Sequence, residues 1–180
     1  MNINQVVLVD EDDSEIGVME KMEAHEKGLL HRAFSIFLFN DKGEMMLQRR
    51  ALSKYHSPGL WTNTCCSHPM LGETLETAAE RRLQEEMGMS CTMRKEFHFI
   101  YRADLDNNIV EHEFDHVFFG VTNQHPVICE QEVCDWKWMA VHDVYIDVQI
   151  NPTHYTEWFK IALPLLDHFL IENRHLINAE

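Results

Sequence analysis

The sequence predicts an α+β fold in which helices flank one mixed β-sheet. Short apolar runs bounded by turn residues recur along the first 50 positions and are typical of β-hairpins. Two segments with helical periodicity follow, one in the middle of the chain and a longer one near its C-terminus. The chain has 180 residues, 45% of them hydrophobic, and it contains no linker rich in proline, glycine or serine. We therefore expect a single domain over residues 1–180.

The first four strands are expected to form two hairpins. Apolar residues at positions 6–9 and 16–19 flank an acidic turn, which predicts an N-terminal hairpin. Residues 34–39 and 45–49 flank the sequence Asn-Asp-Lys-Gly at positions 40–43. This sequence indicates a second hairpin, because asparagine, aspartate and glycine accept positive φ in tight turns.

A helix is predicted for residues 73–87. Good helix formers occupy the whole segment, with small or apolar residues at helical spacing between Leu75 and Leu83. Gly88 follows at the position where a left-handed C-terminal cap would lie.

The remainder of the chain predicts three strands and a second helix. Strand-like runs cover residues 96–103, 109–121 and 136–141. An asparagine-proline pair opens a long helix over about residues 151–173, because proline is tolerated in the first turn. Pro164 is expected to kink this C-terminal helix.

The composition excludes several classes of function. The formal net charge is −15, which argues against a nucleic-acid binder, since such proteins need a basic surface. No apolar run is long enough to cross a bilayer, and the N-terminus lacks the regions of an export signal. The five cysteines show neither disulfide nor metal-ribbon spacing. We expect a cytoplasmic protein with reduced thiols and with no nucleic-acid or membrane partner.

An acidic cluster lies along the predicted central helix. Its simplest interpretation is a solvated face on which Arg82 and Glu86 form an i,i+4 ion pair. Its spacing also resembles the Nudix box, a loop-helix-loop pattern whose glutamates hold magnesium against a diphosphate. The matching residues are Ser67, Glu73, Arg81, Leu83, Glu85, Glu86, Gly88 and Met89.

Two positions depart from the Nudix box. Ser67 replaces its opening glycine, and Arg82 replaces a glutamate that a hydrolase uses to bind metal. The positive charge at Arg82 weakens the case for hydrolysis and suggests a direct contact with phosphate.

A second cluster contains ligands suited to a divalent cation. Glu111 and Glu113 share one face of a predicted strand, because side chains alternate with a period of two. Paired carboxylates are costly unless a cation lies between them. Together with His25, His31 and His68 they would suit manganese or zinc. The alternative, an exposed strand edge and unrelated histidines, stays open because sequence alone does not bring distant residues together.

Several motifs together resemble the type I isopentenyl-diphosphate isomerases, a family of the Nudix superfamily. The thiol of Cys66 lies two residues from the imidazole of His68. Such a thiol can act as a proton donor or nucleophile once its environment tunes its pKa, although a lone cysteine is more often a buried hydrophobe. The motifs are Trp61-Thr62-Asn63, Cys65-Cys66-Ser67-His68-Pro69, the altered box ending in Glu86, Tyr101-Arg102 and Glu111-His112-Glu113. The similarity runs from Lys21 to about Trp158.

The resemblance implies a Nudix-like mixed sheet and an isomerase of isoprenoid biosynthesis. Such an enzyme interconverts isopentenyl and dimethylallyl diphosphate by adding one proton and removing another through a tertiary carbocation. By this resemblance Cys66 and Glu113 transfer the protons on opposite faces of the substrate, and Tyr101 lies beside Glu113. The ring of Trp158 would face the cation, since a π-face attracts positive charge.

The resemblance also implies how a prenyl diphosphate, the expected small-molecule partner, would be held. Its phosphate contacts would be Lys21, Arg50, Lys54 and Arg82. Magnesium would bridge the diphosphate to Glu86 and to the backbone carbonyl of Cys66. A second divalent ion, manganese or zinc, would be held by His25, His31, His68, Glu111 and Glu113. The protein is expected to be a monomer or a weak homodimer.

Two rival functions follow from the same residues. A Nudix hydrolase of a diphosphate-containing substrate would have no need of Cys66. A non-catalytic metal-binding or interaction module would account for the acidic charge and the 12 histidines, but it would not respond to a prenyl diphosphate.

Overall fold

The computed structural model describes residues 4–172, except for the side chain of Asn107. Two short 3-10 helices, Asp106–Asn108 and Pro152–His154, interrupt the longer elements. In chain order the strands and α-helices are β1 (Gln5–Val9), β2 (Glu15–Glu20), α1 (Lys21–Lys27), β3 (His31–Phe39), β4 (Glu44–Arg50), β5 (Trp61–Thr62), β6 (Cys65–Ser67), α2 (Leu75–Met87), β7 (Met93–Asp104), β8 (Val110–Val121), β9 (Val133–Ala140), α3 (Val141–Ile150) and α4 (Glu157–Glu172).

Strand β3 is the centre of a mixed sheet. It pairs in parallel with β8 over its whole length, from His31 opposite Glu113 to Phe39 opposite Val121. Its remaining partners, β1, β4 and β6, are antiparallel. Strand β7 pairs with β8, and β9 pairs with β4, both antiparallel. The predicted α+β fold with a mixed sheet is confirmed.

The N-terminal hairpin is confirmed, whereas the second predicted hairpin is much less extensive. Strands β1 and β2 pair from Gln5 opposite Glu20 onward. Strands β3 and β4 pair only next to their turn, at Phe39 and Met45. Strand β3 forms most of its hydrogen bonds with β8 on one edge and with β6 on the other. Strand β4 pairs with β9 and β5 instead.

Helix α2 ends as predicted and begins two residues later than predicted. Thr74 is its N-cap, with a side-chain oxygen that accepts a hydrogen bond from Thr77 N at 3.2 Å. Glu73 therefore stays outside the helix, where it accepts from Met70 N and pairs with Arg81. Gly88 has φ of 61° and caps the C-terminus in the left-handed conformation, which confirms the predicted cap.

The C-terminal region departs most from the sequence prediction. The single helix expected from residue 151 is divided into a 3-10 turn and α4, with Tyr155 extended between them. Pro164 lies within α4, and the predicted end at residue 173 lies outside the described residues. Helices α1 and α3 were not predicted, because each is short and follows a strand without an intervening loop.

Two apolar layers enclose the sheet. Alternation along β3 sends Phe37 toward α4, where it stacks on Phe159, and sends Phe34 toward Leu83 of α2. Strand β3 is buried almost throughout because both of its faces are covered. No helix among the described residues combines the length and apolar character needed to cross a bilayer.

We predict that Gly88→Ala destabilises the fold more than Gly43→Ala. Both glycines have positive φ, but a Cβ on Gly88 would lie 2.5 Å from the carbonyl oxygen of Val127, whereas one on Gly43 meets no atom within 4 Å. The left-handed conformation should cost each alanine about 1–2 kcal/mol, and the clash should add about 1–3 kcal/mol at Gly88. Urea unfolding measures both variants, and equal losses would contradict the role of the Val127 contact.

Candidate active site

One cleft collects most of the predicted site residues. Among the predicted residues only His25 and His31 do not line it, and they lie directly behind His68. The lining residues are Lys21, Arg50, Lys54, Tyr55, His56, Cys66, Ser67, His68, Arg82, Glu86, Tyr101, Glu111, Glu113 and Trp158.

Sheet register brings the polar residues together. The parallel pairing places His31 of β3 opposite Glu113 of β8, and the antiparallel pairing places Tyr101 of β7 opposite the same carboxylate. On the other edge of β3, Cys66 of β6 lies opposite Ser35. The thiol and the carboxylate therefore reach the cleft from strands on either side of β3.

Four side chains form a compact group suited to a cation. One donor atom from each of His25, His31, His68 and Glu113 lies within 4.8 Å of the others. His25 Nδ1 is 2.6 Å from Lys21 O, and His31 Nδ1 is 2.8 Å from Leu29 O. Because these Nδ1 atoms donate to carbonyls, the Nε2 atoms point into the group, the arrangement usual for metal-binding histidines.

The contacts within this group also favour a cation. Nε2 of His31 lies 3.2 Å from Nε2 of His68, which is 2.8 Å from Glu113 Oε1. Facing lone pairs repel one another unless a proton or a cation lies between them. Nitrogen and carboxylate donors in this number fit a divalent transition metal. Glu111 lies just outside the group, with Oε2 3.2 Å from His25 Nε2.

The two buried glutamates are held in different protonation environments. Burial raises the pKa of Glu111, and the nearby charge of Glu113 raises it further. Burial also acts to raise the pKa of Glu113, but hydrogen bonds with His31 and His68 outweigh it, so that this pKa is well below its usual range. Glu113 is thus the carboxylate that stays ionised most readily.

Glu113 is also fixed by a phenol. Tyr101 Oη donates to Glu113 Oε2 at 2.7 Å, while the other carboxylate oxygen faces His68. Burial and the charge of Glu113 raise the pKa of Tyr101 well above its usual value. The phenol therefore remains a hydrogen-bond donor at neutral pH.

Cys66 is a neutral thiol with a fixed neighbourhood. Its Sγ donates to Asn63 Oδ1 at 2.9 Å and lies 3.6 Å from Ser35 Oγ. Asn63 cannot rotate freely, because its Nδ2 donates to the carbonyls of Ile36 and Cys65. Burial, with a smaller contribution from the charge of Asp115, raises the pKa of Cys66 to about 12.

Positive charge is concentrated in the same cleft. Lys21, Arg50, Lys54 and Arg82 all line it, although the chain as a whole carries a formal charge of −15. Arg82 donates to Glu86 Oε1 at 2.5 Å, which is the ion pair expected from their spacing. The other carboxylate oxygen of Glu86 accepts from Gln48 at 3.0 Å.

Trp158 forms an aromatic wall of the cleft. The guanidinium carbon of Arg50 lies 5.1 Å from its ring centroid, and the ring of His56 meets it edge-on at 5.6 Å. Burial, together with the charges of Arg50 and Lys21, lowers the pKa of His56 to about 2. His56 is therefore a neutral ring at this wall.

Several residues of the site were missed from the sequence. His56 and Tyr55 lie in a loop without periodicity, so no pattern points to them. Ser35 donates to Asp115 Oδ2 at 2.7 Å beneath Cys66. Asp115 could have been found, because it continues the alternation that puts Glu111 and Glu113 on one face.

Comparisons with known proteins show which proteins this chain is similar to. The model of the NUDIX domain matches residues 29–159. The chain is 52% identical over 167 residues to isopentenyl-diphosphate Delta-isomerase 2 of Photorhabdus laumondii, covering 93% of this chain and 94% of that protein. It is 50% identical over 160 residues to isopentenyl-diphosphate Delta-isomerase 2 of Aromatoleum aromaticum, covering 89% of this chain and 85% of that protein.

Solved structures support the fold alone. A protein of Deinococcus radiodurans aligns with a TM-score of 0.72 at 18% identity, over 87% of this chain and 96% of its own. The MutT protein of Methanosarcina mazei aligns with a TM-score of 0.63 at 16% identity, over 77% of this chain and 94% of its own.

The environment of Cys66 predicts slow alkylation. At pH 8 we expect iodoacetamide to modify Cys66 at least about tenfold more slowly than exposed Cys134, because the thiolate is the reactive form and burial suppresses it. The Cys66 rate should keep rising with pH up to about 12. Peptide mapping by mass spectrometry in the presence of a chelator measures both rates, and equal rates would contradict a half-buried, neutral thiol.

Proposed function

We propose that this chain, which belongs to the NUDIX family and within it to the isopentenyl-diphosphate Delta-isomerases, transfers protons through Cys66 and Glu113. The enzyme interconverts isopentenyl diphosphate and dimethylallyl diphosphate in isoprenoid biosynthesis. The observation that carries the two roles is that a neutral thiol and a phenol-bound carboxylate line the same cleft as four cationic side chains.

The chemistry requires one proton to be delivered and another to be removed. A proton adds to the terminal alkene carbon, the double-bond electrons form the new C–H bond, and a tertiary carbocation results. Loss of a different proton from the neighbouring CH₂ restores the double bond at its new position. Cys66 and Glu113 would serve as these two groups, since each lies within the cleft with its orientation fixed by hydrogen bonds. Tyr101 would hold Glu113 in place.

The cationic end of the cleft would bind the diphosphate. Lys21, Arg50, Lys54 and Arg82 would donate to its oxygens, and Arg82 is suited to this because a guanidinium offers several donors in a fixed plane. Burial lowers the pKa of Lys21, an effect that the charge of Glu111 partly offsets. A bound diphosphate would favour its charged form further.

Two divalent ions fit the residues present. Magnesium would be held with the diphosphate by Glu86 and the backbone carbonyl of Cys66, where it supplies neutralising charge. Manganese or zinc would be held by His25, His31, His68, Glu111 and Glu113, where it would fix the orientation and basicity of Glu113. The 3.2 Å separation of the Nε2 atoms of His31 and His68 supports this second site.

Trp158 would stabilise the cationic intermediate and exclude water. An aromatic face can stabilise a desolvated cation by about 2 kcal/mol. Its buried ring, together with neutral His56, gives the cleft an apolar wall. Exclusion of water matters because water would trap the carbocation as an alcohol.

Hydrolysis is disfavoured by the replacement within the box. Arg82 occupies the position where a Nudix hydrolase has a further metal-binding glutamate, and it donates to Glu85 and Glu86. The box therefore has one carboxylate fewer for metal than a hydrolase requires. A single domain over residues 1–180, a cytoplasmic location and a monomeric or weakly dimeric state stay predictions.

Incubation of isopentenyl diphosphate with the enzyme and magnesium in deuterated water should yield dimethylallyl diphosphate that carries deuterium. Proton NMR detects this product directly. Cys66→Ala should lower kcat by about a hundredfold to ten-thousandfold, the usual contribution of a proton-transfer group. Cys91→Ala is the control, because Cys91 is a half-buried cysteine outside the cleft. Released phosphate without allylic product would identify a hydrolase, and undiminished turnover by Cys66→Ala would reject the role of the thiol.

Metal content tests the second ion. His31→Ala should weaken binding of manganese or zinc by at least about a hundredfold, since it removes a donor whose orientation is already fixed. Mass spectrometry of the metals retained after dialysis measures this loss. His116→Ala is the control. His116, on β8, is buried as His31 is, but it contacts Asp13 outside the group. Full retention of metal by His31→Ala would remove His31 from the ligand set.

A further inference from the structure

Glu132 contacts two of the cationic side chains that line the cleft. Both the backbone N–H and the backbone carbonyl of Glu132 form hydrogen bonds. Glu132 N donates to Cys129 O at 2.9 Å, and Glu132 O accepts from Ala51 N at 2.9 Å. The second of these bonds ties Glu132 to the loop that carries Lys54. Its side chain is half-buried, with 26% exposed.

Two cations from different parts of the fold converge on one oxygen of this carboxylate. Lys54, in the loop after β4, donates from Nζ to Glu132 Oε2. Arg82, on α2, places Nη2 3.6 Å from the same oxygen. Both cationic side chains also line the cleft. A phosphate oxygen would attract the same two groups for the same reason.

The carboxylate is ionised and offsets repulsion among the cations. Burial acts to raise the pKa of Glu132, but the hydrogen bond and charge of Lys54, followed by the charge of Arg82, bring it below its usual value. Lys54 and Arg50 in turn act to lower the pKa of Lys21. Without a negative group, these four cations would repel one another across the cleft.

We propose that Glu132 is a resident counter-anion of the diphosphate subsite, which holds Lys54 and Arg82 together until a diphosphate oxygen takes its place. This role rests on the proposed function of the cleft. The fixed negative charge weakens binding of substrate and product alike, and it restores the ion pairs when product leaves. Glu132 is thus a positioning residue that limits how tightly the diphosphate is retained.

Glu132→Gln should bind magnesium pyrophosphate more tightly than the unaltered protein does. Removing one partly exposed charge should increase affinity by about fivefold, a change of about 1 kcal/mol. Isothermal titration calorimetry with pyrophosphate at fixed magnesium and salt measures the dissociation constant. The KM for isopentenyl diphosphate should fall by a similar factor without a rise in kcat. A role confined to folding would not tighten binding.

Two variants separate charge from other effects. Glu23→Gln removes the same charge from another glutamate-lysine pair, Glu23 with Lys27 on α1, and should leave the dissociation constant within about twofold. Glu132→Asp keeps the charge and should bind pyrophosphate as the unaltered protein does. In a Lys54→Met background the gain from Glu132→Gln should shrink by at least half, because the pair is then already broken.

Pyrophosphate binding by Glu132→Gln that is unchanged or weaker, at unchanged thermal stability, overturns the proposal. Tightening by Glu132→Asp as large as that by Glu132→Gln overturns it too, since charge would not be the cause. The titration does not depend on turnover. Failure of the unaltered protein to incorporate deuterium into an allylic product would reject the isomerase function, whereas tighter pyrophosphate binding would still support the counter-anion.

Discussion

The parallel pairing of β3 with β8 is the constraint on which the rest of the structure depends. It places His31 opposite Glu113 and buries the apolar ends of both strands between α2 and α4. Because register fixes every side chain of a strand at once, a shift by one residue would turn Glu113 away from the histidines and Phe119 away from the core. Core packing therefore also enforces the geometry of the polar cleft.

Part of this arrangement could be predicted from local sequence, and part could not. Helix α2, its cap at Gly88 and the shared face of Glu111 and Glu113 each follow from a periodic pattern or a turn residue. The seven residues of α1 are too few for a clear helical period. The likeness to a known family identified Lys21 on that helix, whereas His25 was a candidate only because its side chain is of a type that binds metals.

Long-range contacts account for what the sequence did not reveal. Glu132 is one of 30 acidic residues and lies in a segment without periodicity, so its position beside Lys54 depends on how the loop after β4 folds back onto β9. His56 reaches Glu111 at 3.4 Å for a similar reason. Such contacts join residues 55 and 78 positions apart, and no local rule of spacing describes them.

The adjacent cysteines of β6 lie in two different surroundings. In the proposed mechanism the thiol beside the carbocation requires an environment without water, whereas the diphosphate requires strong positive charge. Strand β6 alternates, so Cys66 faces the α4 side beside Ser35, and Cys65 faces the α2 side. On that second side burial raises the pKa of Cys65, and the charge of Glu86 raises it further. The charge of Arg82 acts to lower it. The two sulfurs, one residue apart, thus face opposite sides of the sheet across the thickness of one backbone.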